Sequence, residues 1–487
     1  MNQPVICLFA NDLRLADQPA LSAAVASGAP VVPCYVLDDT APDAPGAASR
    51  WWLHHSLAAL GLGIAARGSR LVLRRGPLGE SLMGLARDTG ATAVYFSRRH
   101  GPDAAAEERR IRDSLAAAGV DCRPFGASLL FEPERILTAT GGPYKVFTPF
   151  YRACLAQDAP HQPLTAPAEI PAPGRWPESD DLAGWRLRPS APDWSGGLAE
   201  SWTPGEAGAM ARLEAFLGSG LRGYATARDR PDRAGTSRLS AHLHFGEISP
   251  RAIWQRARFA AGRDPALAAG VEGFLRQLLW REFCHYLLHH FPDLAKAPFR
   301  PEFAAFPWAD DATALARWQS GRTGYPIVDA GMRELWRTGW MHNRLRMIVA
   351  SFLVKDLMIH WRKGAEWFSD TLVDADAANN AAGWQWVAGC GADAAPYFRV
   401  FNPVLQARKF DPDGVYVRRW VPELARLPDK HLHAPWEAPA ESLAGAGVRL
   451  GETYPLPMVE HGAARGRALA AFRRISRGDQ AGGQPAS

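Results

Sequence analysis

The strongest constraint on the fold is a change of pattern partway along the chain. VICLF (5–9), VVPCYVL (31–37), LVLR (71–74) and TAVYF (92–96) are short apolar runs without polar alternation, as expected of strands buried on both faces. Alanine-rich segments near 20–27, 51–67, 80–89 and 103–118 lie between them with helical spacing. Alternating strand and helix predicts an α/β domain with a doubly wound parallel sheet over residues 1–130. No G-x-G-x-x-G follows the first run, so nothing there specifies a dinucleotide. From 155 to 205 the chain is rich in proline, glycine and tryptophan without a sustained period, and 131–204 reads as a linker. After Ala207 strand-like alternation nearly ceases. Helical spacing covers 209–219, 249–262, 268–290, 312–320, 327–338, 342–362 and 457–475, which predicts an all-α C-terminal domain over 205–475 and a disordered tail over 476–487.

With 487 residues, 47% of them hydrophobic, the chain can bury more than one core. A net charge of +5 permits an acidic partner without demanding one. Six scattered cysteines without a C-x-x-C pair point to reduced, mostly buried thiols rather than a disulfide framework. The opening MNQPVICLFANDLRL lacks a basic n-region, and no apolar stretch approaches the roughly 18 residues of a membrane span, so a cytoplasmic protein without a membrane partner is expected. Eighteen tryptophans are many for this length, and their positions decide whether they fill a core or do chemistry.

Four segments carry polar and aromatic residues together. Gly235-Thr236-Ser237-Arg238-Leu239-Ser240 precedes a helical stretch and offers hydroxyls and backbone N–H groups suited to phosphate oxygens, or simply to a helix N-cap. In the 268–290 helix, Phe274, Gln277, Arg281 and Cys284 share a face flanked by Trp280, a surface that suits a planar heterocycle. Asn343, Arg346 and Met347 fall at i, i+3 and i+4 and point together. The stretch from Asp374 to Trp386 packs two acids, three amides and two tryptophans into thirteen residues, too polar for a core and too aromatic for solvent. Its D-x-D lacks a third ligand at a helpful spacing, which disfavours a metal.

The order NDLRLADQPAL, GTSRLS, LLWREF, GYPIVDAGMRELWRTGWMHNRLRM, NN-x-x-G-W-Q-W and DAAPYFRVFNP resembles the photolyase/cryptochrome family across nearly the whole chain, and most of all its microbial class I branch acting on cyclobutane pyrimidine dimers. The resemblance implies reduced FAD held in the helical domain. Tyr224, Thr236, Ser237, Arg238, Leu239 and Ser240 match the phosphate-gripping segment, and Arg281 and Asn343 match positions beside the cofactor. Arg346 and Asp374 match a salt bridge against the isoalloxazine, with Asp376 close by, and Asn380 matches the residue facing flavin N5, where an amide favours the anionic hydroquinone. Trp384, Trp361 and Trp308 match a three-member electron chain from flavin to surface. A dimer flipped from UV-damaged DNA would meet Gln277, Trp280, Trp386 and Met347, with Asn343 at its edge. Arg228, Arg230, Arg344, Arg399, Arg408 and Lys409 would neighbour phosphates, about half of them in contact with DNA. The enzyme implied is a monomeric deoxyribodipyrimidine photo-lyase without an obligate protein partner.

Two places depart from the class I pattern. Gln277 stands where those enzymes usually carry glutamate, and it can donate a hydrogen bond but deliver no proton. Glutamine there also fits (6-4) photolyases and cryptochrome photoreceptors, although the (6-4) enzymes carry histidines at the places of Asn343 and Met347, and plant-type sensors carry aspartate at that of Asn380. Arg99-His100-Gly101-Pro102-Asp103-Ala104 lacks the Asn-Glu pair of folate-binding members, so 8-hydroxy-deazaflavin is expected ahead of folate, with another flavin or no antenna also open.

Overall fold

The computed structural model describes residues 3–41, 44–101, 104–394 and 398–481. Contacts divide the chain into two compact units. The first comprises Met1–Arg222, Ser237–Pro292 and Val373–Ala378; the second comprises Gly223–Thr236, Asp293–Leu372 and Asn379–Ser487.

In the first unit, strands β1 (Val5–Phe9), β2 (Val31–Leu37), β3 (Val72–Arg75), β4 (Ala93–Ser97) and β5 (Asp121–Phe125) form a parallel sheet of order β3-β2-β1-β4-β5. Helices Pro19–Ala26, Ala47–Ala65, Leu78–Thr89 and Ala104–Ala117 connect them. All five residues of central β1 are buried, and Ile6 lies opposite both Val32 and Val94. Ile6, Val32, Cys34, Val72, Leu82 and Val94 share one core with no exposed sheet face to serve, hence the lack of alternation in their strands. The fifth strand escaped the sequence reading. DCRPF is polar, half exposed and carries Pro124, the chemistry of an edge strand rather than a buried one.

A buried cation ties distant parts of this unit together. Arg14, 1% exposed, donates from Nε and one Nη to Asp17 O at 3.1 and 2.8 Å, and through its two Nη atoms to Gly246 O and Ala127 O at 2.8 and 3.0 Å. Asp17 in turn accepts from Arg251 Nε at 3.0 Å.

The second unit is helical. Pro326–Thr338, Asn343–Ser351, Trp361–Thr371, Pro403–Phe410 and His461–Ala481 are its main helices, and Asn379–Ala388 contributes most of the Ala377–Ala388 helix. The expected single helix over 342–362 is two. The Asn343–Ser351 helix widens into a π turn at Phe352–Asp356, Met358 takes a left-handed φ of 55°, and His360 restarts the helix by accepting from Arg362 N at 3.1 Å. His342 caps the preceding helix in the same manner. Histidine caps lie outside the Ser/Thr/Asp/Asn signals that mark helix starts in a sequence, so the break was hidden. The C-terminal helix runs to Ala481, and residues 482–487 of the expected tail lie outside the described residues. Among the described residues no helix is long and apolar enough to cross a membrane.

Replacing Arg14 by methionine keeps volume but leaves three buried carbonyls without their donor. R14M should lower the free energy of unfolding by roughly 3–5 kcal/mol, read from urea denaturation.

Candidate functional site

The helix Ala268–His290 supplies the polar face of the first unit. Trp280 is half-buried, its ring stacked on Phe147 at 3.7 Å and 9°, so Phe147 covers one of its faces. Gln277, one turn earlier, is half-buried, and its amide makes no hydrogen bond among the described residues. Arg281 Nη donates to Ser128 O at 3.0 Å and pairs with Glu282 at 3.2 Å. Glu282 is itself pinned by Leu130 N at 2.7 Å. Asp376 lies 3.3 Å from His285. Burial pushes the Asp376 carboxyl up, but His285, His244 and Arg281 outweigh it and hold the group well below the usual range, so it stays ionised. Asp374 is buried alongside, close enough for its charge to act on His244, whose buried Nδ1 has no partner among the described residues. Burial, with His285 and Arg281 adding repulsion, takes His100 down to about 3 and keeps it neutral. Of the segment expected to hold phosphates, Ser237 to Ser240 belong to this unit. Arg238 adopts φ 51° and lies over Trp202 at 4.8 Å, and Ser240 opens the short Ser240–His244 helix.

In the second unit the three tryptophans of the expected chain sit at very different depths. Trp384 and Trp361 are each 2% exposed, whereas Trp308 is half-buried. Trp384 packs directly on the Trp361–Thr371 helix, where Gly364 lies so close that an added methyl would overlap its six-membered ring. Phe368, one turn on, meets Trp384 at 5.0 Å. The imidazole of His360 lies 5.5 Å from Trp361 and 5.0 Å from Trp308, which the Ala309–Ile359 bridge brings alongside. His360 was missed in the sequence, although it directly precedes Trp361. A second indole pair went unnoticed too: Trp336, 60% exposed, stacks on Trp367 at 6.0 Å and 3°.

Asn380 Nδ2 donates to Ala365 O at 2.9 Å and Ser369 Oγ at 3.0 Å, which fixes the orientation of its amide. The indole N–H of Trp384 is buried without a partner among the described residues. This orphaned donor suits a polar planar group such as a flavin, whose ring carries acceptors at several edges. Tyr224, buried, and Thr236, half-buried, belong to this unit. Arg346 Nε donates to Met341 O at 2.8 Å.

Asn343 is exposed and Met347 half-buried on the next turn; the Met347 sulfur lies 4.0 Å from Asn343 Nδ2 and 3.7 Å from an Arg344 Nη. Trp386 Nε1 donates to Asp393 O at 3.1 Å. Arg344 pairs with Asp229 at 2.8 Å and lies 4.3 Å over Phe410. With Arg399, Lys409 and Arg465 it lines a groove of about 580 Å³ whose apolar wall includes Phe401 and Leu405. Arg408 is exposed on the same helix as Lys409. Arg228 lies over Tyr224 at 5.5 Å, and Arg230 is committed to Asp232 and Asp413, each at 2.8 Å. No group of three or more metal-ligating side chains occurs among the described residues.

The chain thus has two parts, one carrying a five-stranded parallel sheet and one helical with buried indoles. Residues 5–172 match the model of DNA photolyase and residues 274–474 that of the FAD binding domain of DNA photolyase. The chain belongs to the photolyase/cryptochrome family. It is 50% identical over 97% of its length to the deoxyribodipyrimidine photo-lyase of Agrobacterium fabrum, 98% of which is covered. It is 39% identical over 93% of its length to Cryptochrome-1 of Arabidopsis thaliana, covering 68% of that protein. The crystal structure of a bacterial class III photolyase from Agrobacterium tumefaciens superposes with a TM-score of 0.95 at 50% identity, covering 98% of each chain. The sequence reading had pointed to class I, and this neighbour is described as class III.

Two substitutions test the indole arrangement. W308F should slow photoreduction of bound flavin in a reducing buffer while leaving the protein's stability nearly unchanged. G364A should lower stability by roughly 1–3 kcal/mol through overpacking against Trp384 and slow photoreduction as well; a wild-type rate in both variants would remove these tryptophans from the route.

Proposed function

We propose that this chain uses blue light to split cyclobutane pyrimidine dimers in UV-damaged DNA. The observation that carries the reading is the groove lined by Arg344, Arg399, Lys409 and Arg465, which joins four cations to an apolar wall in the unit that also holds the Trp384, Trp361 and Trp308 indoles. Reduced FAD, when bound, would supply the light-driven one-electron chemistry that such a repair needs. Arg346, Asp374 and Asp376 hold the flavin ring, Tyr224 and Thr236 to Ser240 hold its phosphates, and Arg281 and Asn343 flank it. Asn380 presents an amide that can neither give nor take a proton at neutral pH. Trp384, Trp361 and Trp308 conduct electrons inward from solvent to restore the reduced state.

On the substrate side, Trp280 and Trp386 wall the flipped dimer and Met347 fills beside it. Gln277 donates a hydrogen bond to a dimer carbonyl, a role its unengaged amide supports. Arg344, Arg399 and Lys409 contact phosphates, giving affinity without sequence preference. Arg230 is already engaged by two carboxylates, which favours a structural role for it over DNA contact. A deazaflavin antenna in the α/β module extends the reading; Pro102 and Asp103 of the segment that argues against folate lie outside the described residues. Absorption of the purified protein beyond the flavin bands tests that part.

Repair is the deciding assay. Pre-reduced holoenzyme mixed with UV-irradiated oligothymidylate should restore thymine absorbance under blue light and leave it unchanged in darkness. Absence of recovery with FAD bound and reduced would move the assignment to a photoreceptor or to another lesion.

A further inference from the structure

Lys355 is the most deeply buried amine in the groove's neighbourhood, 1% exposed and carried on the π turn at Phe352–Asp356. Its Nζ lies 3.3 Å from the centroid of the Phe398 ring and donates to Arg399 O at 3.3 Å. One turn earlier, Ser351 Oγ accepts from Phe401 N at 3.3 Å. Two side chains on one helical face therefore fasten an irregular segment at both ends, and the residue between the fastenings that projects outward is Arg399, exposed at the groove. Ser351, Lys355, Arg399, Phe401 and Trp386 also enclose a small cavity of about 20 Å³, room for one water. A buried ammonium is costly, and methionine would fill the same space without the cost, so a packing role alone does not explain a lysine here.

We propose that Lys355 is a positioning residue for DNA binding: its ammonium, with Ser351, clamps the 398–401 segment and so aims Arg399 at the phosphate backbone. The inference rests on the reading of the groove as a DNA site and assigns a residue outside the groove that controls it.

The charged surroundings make the clamp sensitive to pH. Burial holds Lys355 down to about 7, while the Asp356 carboxylate pulls it upward. Asp356 on the same turn is paired with His461 at 2.6 Å and faces Arg467, both on the C-terminal helix. Cys390, flanked by Arg300 and Glu302, is pushed up to about 12 by burial and stays a thiol. The folded-state value lies below the ordinary one, so the stability penalty of Lys355 is full below pH 7 and fades as pH rises toward its unfolded value. The clamp behaves oppositely: cation and carbonyl attraction are strongest below pH 7 and weaken above it.

The test measures affinity of the holoenzyme for fluorescent, UV-irradiated oligothymidylate at fixed ionic strength from pH 6 to 8.5, for wild type, K355M, S351A, R399Q and K355M/R399Q. K355M should bind roughly fivefold to tenfold more weakly at pH 6, with a raised thermal midpoint, and the gap to wild type should close toward pH 8.5. The double variant should bind no more weakly than R399Q, because the lysine acts through that arginine. S351A, which leaves the charge in place, should weaken binding with no new pH dependence, and it keeps the clamp testable if K355M folds poorly. Wild-type affinity in K355M and S351A, or effects of K355M and R399Q that simply add, would overturn the positioning role. Failure of wild type to bind the oligonucleotide at all would instead overturn the DNA reading on which it rests.

Discussion

The break between Ser351 and Trp361 is the constraint on which the helical unit turns. An uninterrupted α-helix through this stretch would give Lys355 and Trp361 positions fixed by one period. The π turn shifts that period, and the left-handed Met358 reverses the chain far enough for Ala309 N to bond Met358 O at 2.7 Å. That single bond and the Ala309–Ile359 bridge set Trp308 beside His360, which in turn starts the helix bearing Trp361 and Gly364. Backbone irregularity of this kind costs energy, and it persists because burial of Phe352, Leu353, Val354 and Ile359 around it holds the turn in place. A route from buried to half-buried indole and an inward-facing amine both follow from the same local departure from helix geometry.

Buried charge is the second theme. Arg14 is compensated by carbonyls, Asp376 by His285 with His244 and Arg281, and Lys355 by a ring face and a carbonyl. Each fixes a direction as much as it contributes energy: replacing such groups with apolar ones often leaves stability intact, whereas removing one partner strands the other. Asn380 belongs with them although it is neutral. With both donor bonds spent on Ala365 and Ser369, its amide has one available orientation, and a group that cannot titrate faces whatever lies opposite.

Much of this was legible in the residues. Strands β1 and β2 and the Ala268–His290 helix fall where apolar runs and spacing put them, because sheet burial on both faces and helix periodicity write directly into sequence. β5 did not, since an edge strand half exposed to solvent has no apolar signature. The resemblance named candidate site residues such as Asn380 and the three tryptophans, but the contacts those residues make could not be read from it. That Trp280 is covered on one face by Phe147, or that Arg230 is held by Asp413, depends on residues 133 and 183 positions away in the chain. Lys355 was invisible for the opposite reason: in a stretch read as one amphipathic helix, a lysine reads as a solvated position.

The cations of the groove differ in how far the protein has already engaged them. Arg344 reaches the groove already paired with Asp229 and seated over Phe410, so a phosphate would share or displace a carboxylate rather than meet a free cation. Its net electrostatic gain is smaller than that of an unpaired arginine, and its orientation is set before binding. Lys409 and Arg465, exposed at the groove, supply long-range attraction that salt screens readily. Ordered arginines that aim and loose cations that attract are different contributions to holding any anionic ligand: the second draws it to the surface, and the first sets where its charges must fall.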